Sequence, residues 1–146
     1  MRNYLKLTFP ALSENESFAR NAVAAFAVRA NPTVEETEDL KTAVSEAVTN
    51  AVVHAYPYKS ADEEAEIHIE AEFSGNTLTV TICDDGVGID DVDAALQPFF
   101  TTRADDERSG MGFTLMQSFT DELSVVSAPG AGTTVRMIKI IGAKNA

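Results

Sequence analysis

Alternating apolar and polar positions open the chain and predict a strand with one buried face. The apolar positions of this strand are Leu5, Leu7 and Phe9, and Pro10 ends the alternation. Because Pro10 has no amide hydrogen to donate to a neighbouring strand, the first strand is expected to stop there.

The spacing of apolar residues becomes helical after this strand. Ser13 and Glu16 have the spacing of a capping box, which predicts a helix from there to about residue 30. The side of this helix predicted to face the core consists of Phe18, Ala22, Ala25 and Phe26.

A second helix is predicted by the same start signal, here Thr33 with Glu36 after Pro32. Its apolar stripe continues towards His54, and the residues 56–58, Tyr-Pro-Tyr, end it. The stripe consists of Leu40, Val44, Ala47, Val48 and Ala51.

Two hairpins follow, separated by a long irregular stretch. Residues 67–73 and 78–82 alternate on either side of a Ser-Gly-Asn turn. Little apolar periodicity is left between 84 and 108, a length typical of a functional lid. A short helix over 113–119 and strands over 123–128 and 133–141 complete the order of elements. We therefore expect an α+β fold: a two-layer α/β sandwich whose mixed, mostly antiparallel sheet carries helices on one face.

Composition narrows the class of protein. The 146 residues suit one domain, and 45% of them are hydrophobic, which is enough for a packed core. The net charge of −12 argues against direct nucleic-acid binding and against attraction to an anionic membrane. The single cysteine, Cys83, excludes a disulfide within the chain. With no signal peptide or membrane span in the sequence, a cytoplasmic protein is expected.

One group of polar residues interrupts the apolar second helix. Glu46, Asn50 and His54 are four residues apart and therefore form one line along the helix. A solvated face is the simple interpretation. The alternative is chemical, because a carboxylate and an amide one turn apart suit a general base beside a metal ligand.

Three glycine clusters lie outside the predicted helices and strands. Asp84, Gly86 and Gly88 follow a strand, where a carboxylate can accept a hydrogen bond from a ligand's amino group. The cluster 109–113 opens a helix, whose free amides can bind phosphate. The cluster 130–133 lies in the last hairpin. Each alone is also explained by an ordinary turn, and neither a P-loop nor a dinucleotide-binding motif is present.

Taken together, these clusters resemble the motifs of the Bergerat-fold (GHKL) ATPase and kinase superfamily. Residues 45–56, SEAVTNAVVHAY, resemble its N box, 84–89, DDGVGI, its G1 box, and 109–112, SGMG, its G2 box. Residues 98–102, PFFTT, resemble its lid segment, and 130–133, GAGT, its last glycine motif. The implied organisation is a single domain over 1–146 with an ATP lid at about 84–112.

The resemblance implies a role for each site residue. Glu46 would be the general base, and Asn50 would ligate a Mg²⁺ that bridges the phosphates of ATP. Asp84 would accept the adenine amino proton. The remaining nucleotide-binding residues, for ATP or ADP, would be Gly86, Gly88, Thr101, Thr102, Arg103, Ser109, Gly110, Met111, Gly112, Phe113 and Thr133. For Arg103 and Arg108, solvated loop charge and contact with phosphate or a partner protein both remain open.

Within the superfamily, the chain is most similar to the bacterial anti-sigma factor serine kinases, in particular those of sporulation. This implies binding and inhibition of a sigma factor of the sigma F type. It also implies ATP-dependent phosphorylation of a serine on an anti-anti-sigma protein, and a homodimer that forms through the first strand and helix. The alternatives are a stress-response anti-sigma kinase, a catalytically silent module that binds ATP, and the catalytic domain of a sensor histidine kinase.

Overall fold

A computed structural model describes residues 2–56, 65–97 and 112–142. These residues form five strands and four α-helices, in the order β1 (Tyr4–Pro10), α1 (Asn15–Ala27), α2 (Val34–Asn50), β2 (Glu66–Ser74), β3 (Thr77–Asp84), α3 (Val92–Ala95), α4 (Gly112–Phe119), β4 (Glu122–Ser127) and β5 (Thr133–Ile140). A 3₁₀ turn, Val28–Ala30, extends α1, and a π-helical turn, Ala51–Ala55, extends α2.

The strands form one sheet in the order β1-β2-β3-β5-β4, and all its pairings are antiparallel. Inward-facing residues such as Ile67, Leu78 and Met137 share one core with Leu40 of α2 and Met116 of α4. Each such side chain stabilises the fold by about 1.5–3 kcal/mol through burial. The opposite face of the sheet carries polar side chains of β2, β3 and β5, including Glu70, Thr81 and Arg136. The predicted α+β fold with helices on one face is confirmed, but the described strands form a purely antiparallel sheet and not a mixed one.

The predicted start of the second helix is confirmed in detail. The Thr33 hydroxyl accepts a hydrogen bond from the Glu36 amide, and the Glu36 carboxylate accepts one from the Thr33 amide. All five residues of the predicted stripe on this helix are buried. The turn 51–55 then widens to π-helical geometry before the helix ends at Tyr56.

The predicted start of the first helix was wrong. The helix begins at Asn15 after Glu14, and no side chain caps it. Glu16, the expected partner of Ser13, instead accepts hydrogen bonds from Arg20 and from the Ser45 hydroxyl of α2. Because Arg20 offers a charged donor one helical turn away, Glu16 binds it rather than the backbone before the helix.

The predicted buried side of α1 was also wrong. Phe18 and Ala25 are exposed, whereas Ala22 and Phe26 are half-buried. The residues that are buried are Ala19, Val23, Ala24 and Ala27. Apolar residues surround most of this helix, so periodicity does not single out one side. Packing against α2 does, because small side chains let the two helix backbones approach closely.

The long irregular stretch contains one short helix in its described part. Asp91 begins it by accepting a hydrogen bond from the Ala94 amide at 3.0 Å, and the helix ends after four residues. The predicted short helix at 113–119 and the last hairpin are confirmed, and each predicted end lies within one residue of the observed end. The lid segment 98–102 lies outside the described residues.

Candidate nucleotide-binding site

Asp84 ends the central strand β3 beside Thr133 of β5, and its side chain is buried at 7% exposure. Its Oδ1 atom accepts hydrogen bonds from the backbone amides of Gly86, at 2.9 Å, and Thr133, at 3.2 Å. These two bonds fix the orientation of the carboxylate. Within the described part of the chain they are its only hydrogen bonds, so Oδ2 remains an acceptor for a ligand's amino group.

The environment of Asp84 raises the pKa of its carboxyl. Burial is the main cause, and the negative charge of Asp85 adds to it, whereas the hydrogen bonds from Gly86 and Thr133 act in the opposite direction. A buried carboxylate with an unused oxygen gains when a ligand supplies a donor. The role of Asp84 in reading an amino group stays a prediction.

The loop after β3 lies directly against the end of α2. A Cβ atom at Gly86 would lie 2.1 Å from the carbonyl oxygen of Ala55. That same oxygen accepts a hydrogen bond of 2.8 Å from the Val87 amide. The N box and the G1 box are therefore joined by their main chains, and the lack of a side chain at residue 86 is what permits the contact.

The same loop is also tied to the last hairpin. Gly88 has φ +77°, and a Cβ atom there would lie 2.0 Å from the Ala128 carbonyl oxygen. Val87 accepts a hydrogen bond from the Gly130 amide, at 2.7 Å. The loop after β3 and the last hairpin are therefore held together next to Asp84, which itself accepts the Thr133 amide hydrogen bond.

Ser127, which the sequence analysis did not single out, connects the two loops. Its Oγ accepts a hydrogen bond from the Ile89 amide and donates to the Gly132 carbonyl, both at 2.8 Å, and lies 2.8 Å from the Thr133 hydroxyl. A lone serine at the end of a strand is too common a signal to identify from sequence.

Glu46 and Asn50, both half-buried, face the first residue of α4. A Cβ atom at Gly112 would lie 3.1–3.2 Å from the two amide atoms of Asn50 and 3.4 Å from Oε2 of Glu46. The structure thus brings together the polar line of α2 and the glycine cluster that opens α4. Side-chain oxygens here adjoin the start of α4, and a helix start is a place where phosphate binds favourably.

The residues at this point suit a Mg²⁺ that is shared with a nucleotide. Among the described residues, no group of three or more His, Cys, Asp or Glu side chains forms a metal site. Mg²⁺ prefers oxygen ligands and is commonly held by one or two side chains together with substrate phosphates. The Asn50 amide oxygen, close to Glu46, can supply such a ligand. The Thr114 hydroxyl, on the same helix as Gly112, is buried without a hydrogen-bond partner in the described part of the chain.

Several predicted nucleotide-binding residues lie outside the described residues, namely Thr101, Thr102, Arg103, Ser109, Gly110 and Met111. Arg108 lies outside them as well. Phe113 is described, and its side chain packs against the hydrophobic core. His54 is half-buried within the π-helical turn.

Comparison with known proteins identifies the class of this fold and site. The sequence profile of the histidine kinase-like ATPase domain matches residues 9–139. Among solved structures, the RsbU and RsbW domains of a Mycobacterium tuberculosis protein superpose with a TM-score of 0.66 at 17% identity, over 95% of this chain and 32% of that one. The mycobacterial sensor histidine kinase MprB superposes with a TM-score of 0.57 at 13% identity, over 95% and 97% of the two chains. These structural likenesses concern the fold.

Closer relatives narrow the assignment. The anti-sigma F factor of Thermoanaerobacter sp. strain X514 is 55% identical over 96% of this chain and 95% of its own. The anti-sigma F factor of Bacillus thuringiensis strain Al Hakam is 47% identical over 100% and 98% of the two chains. The chain therefore belongs to the histidine kinase-like ATPase family, in the branch formed by the anti-sigma F factors. The resemblance drawn from the motifs is confirmed. In the described part of the chain, no helix is both long and apolar enough to cross a membrane.

Proposed function

We propose that this protein is an anti-sigma factor that binds and inhibits a sporulation sigma factor of the sigma F type. It also uses Mg²⁺ and ATP to phosphorylate a serine on an anti-anti-sigma protein, and so inactivates that protein. The observation that supports the chemical part is the close approach of the Glu46 and Asn50 side chains to Gly112 at the start of α4. A base, a metal ligand and phosphate-binding amides would lie together there.

The nucleotide would lie between two anchor points. At one, Oδ2 of Asp84 would accept a hydrogen bond from the adenine amino group, while the amides of Gly86 and Thr133 donate to Oδ1. At the other, the family resemblance implies that amides of Gly110, Met111 and Gly112 would bind the phosphates, and that a lid at about 84–112 would cover them. A bound Mg²⁺ neutralises part of the phosphate charge.

Glu46 would act on the acceptor serine. Its carboxylate takes the hydroxyl proton as the serine oxygen forms a bond to the γ-phosphorus. The bond between that phosphorus and the bridging oxygen breaks, and ADP leaves with the bonding electrons. Asn50 would hold the metal through its amide oxygen and thereby fix the phosphates near Glu46. Positioning and charge stabilisation supply most of the rate in such transfers.

The partner assignments have different support. The sigma factor is supported by the name of the relatives that are 47–55% identical over nearly the whole chain. The serine substrate and the homodimer are supported by the family resemblance of the motifs. We expect the protein to act in the cytoplasm, where its sigma factor would meet RNA polymerase.

The deciding experiment is a phosphotransfer assay with γ-labelled ATP, Mg²⁺ and an anti-anti-sigma protein from the sporulation system. The parent protein should label a serine of that partner. The Glu46→Gln variant should bind ATP as the parent does and transfer almost no label. Glu35→Gln is the matched control, because Glu35 is an exposed carboxylate in the first turn of the same helix.

Two other results of this assay would each contradict part of the proposal. Binding of ATP without transfer by the parent would indicate the silent module. Parent-level transfer by Glu46→Gln would exclude Glu46 as the base. A separate binding experiment with a purified sigma factor of the sigma F type tests the anti-sigma assignment, and absence of binding by the parent would contradict it.

A further inference from the structure

The phenol of Tyr56 lies where three elements meet. Its hydroxyl donates a hydrogen bond to the carbonyl oxygen of Glu66, at the start of β2, and accepts one from the amide of Asp85. Both distances are 2.8 Å. The hydroxyl of Tyr56 thus joins the end of the helical segment that carries Asn50 to the residue that follows Asp84.

This contact is part of a short bonded network around the adenine anchor point. The carbonyl oxygen of Ala55, the residue before Tyr56, accepts a hydrogen bond from the Val87 amide. The Gly86 amide donates one to Oδ1 of Asp84. The amides of residues 85, 86 and 87 therefore each have a defined acceptor. Two of these acceptors, the Tyr56 hydroxyl and the Ala55 carbonyl, come from the end of the helical segment.

We propose that Tyr56 is a positioning residue for base recognition: its hydroxyl holds the Asp84–Asp85 peptide so that the Asp84 carboxylate meets the amino group of adenine. This inference rests on the proposed nucleotide site. It assigns to Tyr56 an effect on the choice of base rather than on phosphate binding, because both of its hydrogen bonds lie at the Asp84 end of the site.

The contact needs the hydroxyl and not merely the ring. Phenylalanine at residue 56 would keep the ring but leave the Asp85 amide without this acceptor and the Glu66 carbonyl without this donor. The pKa of Tyr56 is raised, mainly by burial of the phenol, so the hydroxyl stays protonated and able to donate at neutral pH.

The test compares ATP with inosine triphosphate, which carries a carbonyl oxygen in place of the adenine amino group. Calorimetry with Mg²⁺ would measure both dissociation constants for the full-length parent, for Tyr56→Phe and for Tyr4→Phe. Tyr4 is an exposed tyrosine of β1 whose ring lies beside Arg2 and Lys6, so it controls for the loss of a phenol hydroxyl elsewhere. We expect Tyr56→Phe to weaken ATP binding roughly 3- to 10-fold, as for one hydrogen bond, and to affect inosine triphosphate less.

Amide hydrogen exchange without nucleotide provides an independent readout. In Tyr56→Phe the Asp85 amide should exchange faster, whereas core amides of β3 such as Val80 should keep the parent's rate. An unchanged ATP preference would overturn the proposal, as would equal weakening of both nucleotides. If the parent binds neither nucleotide, the proposed function fails, and base recognition by Tyr56 with it. Exchange at Asp85 would still show whether the hydrogen bond exists.

Discussion

Gly86 approaches Ala55 so closely that a Cβ atom on the glycine would lie 2.1 Å from the alanine carbonyl oxygen. The amide of the neighbouring Val87 donates a hydrogen bond to that same oxygen, so the two main-chain segments are held together. The φ of Gly86 is not positive, and the need for glycine is therefore one of space. This relationship places the residue that would read the base next to the helix that would hold the metal.

We expect Gly86→Ala to move the loop after β3 away from the end of α2 and to weaken ATP binding at least tenfold, or about 1.4 kcal/mol. Calorimetric titration with ATP measures the effect. The control is Gly75→Ala, where φ is +59° but no atom lies within 4 Å of the added Cβ. Gly75→Ala should lower stability and leave ATP affinity unchanged. Equal affinities for the parent and Gly86→Ala would show that the loop adapts without consequence for the site.

The two helix starts show how far sequence can predict local structure. Thr33 with Glu36 and Ser13 with Glu16 have the same spacing, yet only the first pair forms a capping box. In the second pair, Glu16 binds Arg20 instead. The sequence does contain that competing partner, but the additional hydrogen bond from Ser45 of α2 to Glu16 exists only in the folded chain.

The site was predictable where residue types alone restrict the chemistry. Asp84 and the glycines around it are identified by their motif, and the structure brings them together with Thr133. The sequence predicts no site role for Tyr56 or Ser127, because their roles depend on hydrogen bonds between segments far apart in sequence. Such contacts leave no periodic signal. The exposure of Phe18 similarly depends on which side of a largely apolar helix packs against its neighbour.

The unequal caps lead to a prediction about stability. Thr33→Ala removes the hydroxyl that accepts a hydrogen bond from the Glu36 amide. This loss should lower the free energy of unfolding by about 1 kcal/mol. For a chain of this size, that corresponds to a fall in Tm of about 3 °C. Ser13→Ala should change the free energy by less than about 0.5 kcal/mol, because no side chain caps α1. Urea denaturation of both variants checks the difference. Comparable losses would mean that Ser13 stabilises the first helix after all.

Replacement of Asp84 by asparagine tests how the carboxylate reads the base. Asparagine can keep an oxygen facing the amides of Gly86 and Thr133, but its other atom becomes a donor. Adenine would then present its amino group to another donor. We expect ATP binding to weaken roughly tenfold to a hundredfold and the preference for ATP over inosine triphosphate to shrink. Competition between the two nucleotides measures this, and an unchanged preference would place base recognition elsewhere.

The role of Asn50 can be tested through the metal alone. Asn50→Ala should weaken ATP binding in the presence of Mg²⁺ by at least about tenfold, the lower end of losses seen when metal sites are disturbed. With Mg²⁺ removed by a chelator, the parent and the variant should bind ATP equally. Asn21→Ala, at an exposed position of α1, is the control. A deficit of the same size with and without Mg²⁺ would indicate that Asn50 contacts the nucleotide directly.

Acid should destabilise the fold in part through Glu36. Hydrogen bonds to its carboxylate, first from the Thr33 amide and also from the Gly142 amide, hold its pKa below the ordinary value of 4.5 in the folded protein. A lowered pKa in the folded state stabilises the protein above the unfolded value, and this contribution is lost as the pH falls through the folded value. Glu36→Gln can retain the capping geometry without the titrating proton. We therefore expect the free energy of unfolding of the parent to fall more steeply than that of Glu36→Gln as the pH is lowered below 4.5. Urea denaturation at a series of pH values measures both slopes, and parallel curves would assign the acid sensitivity to other carboxylates.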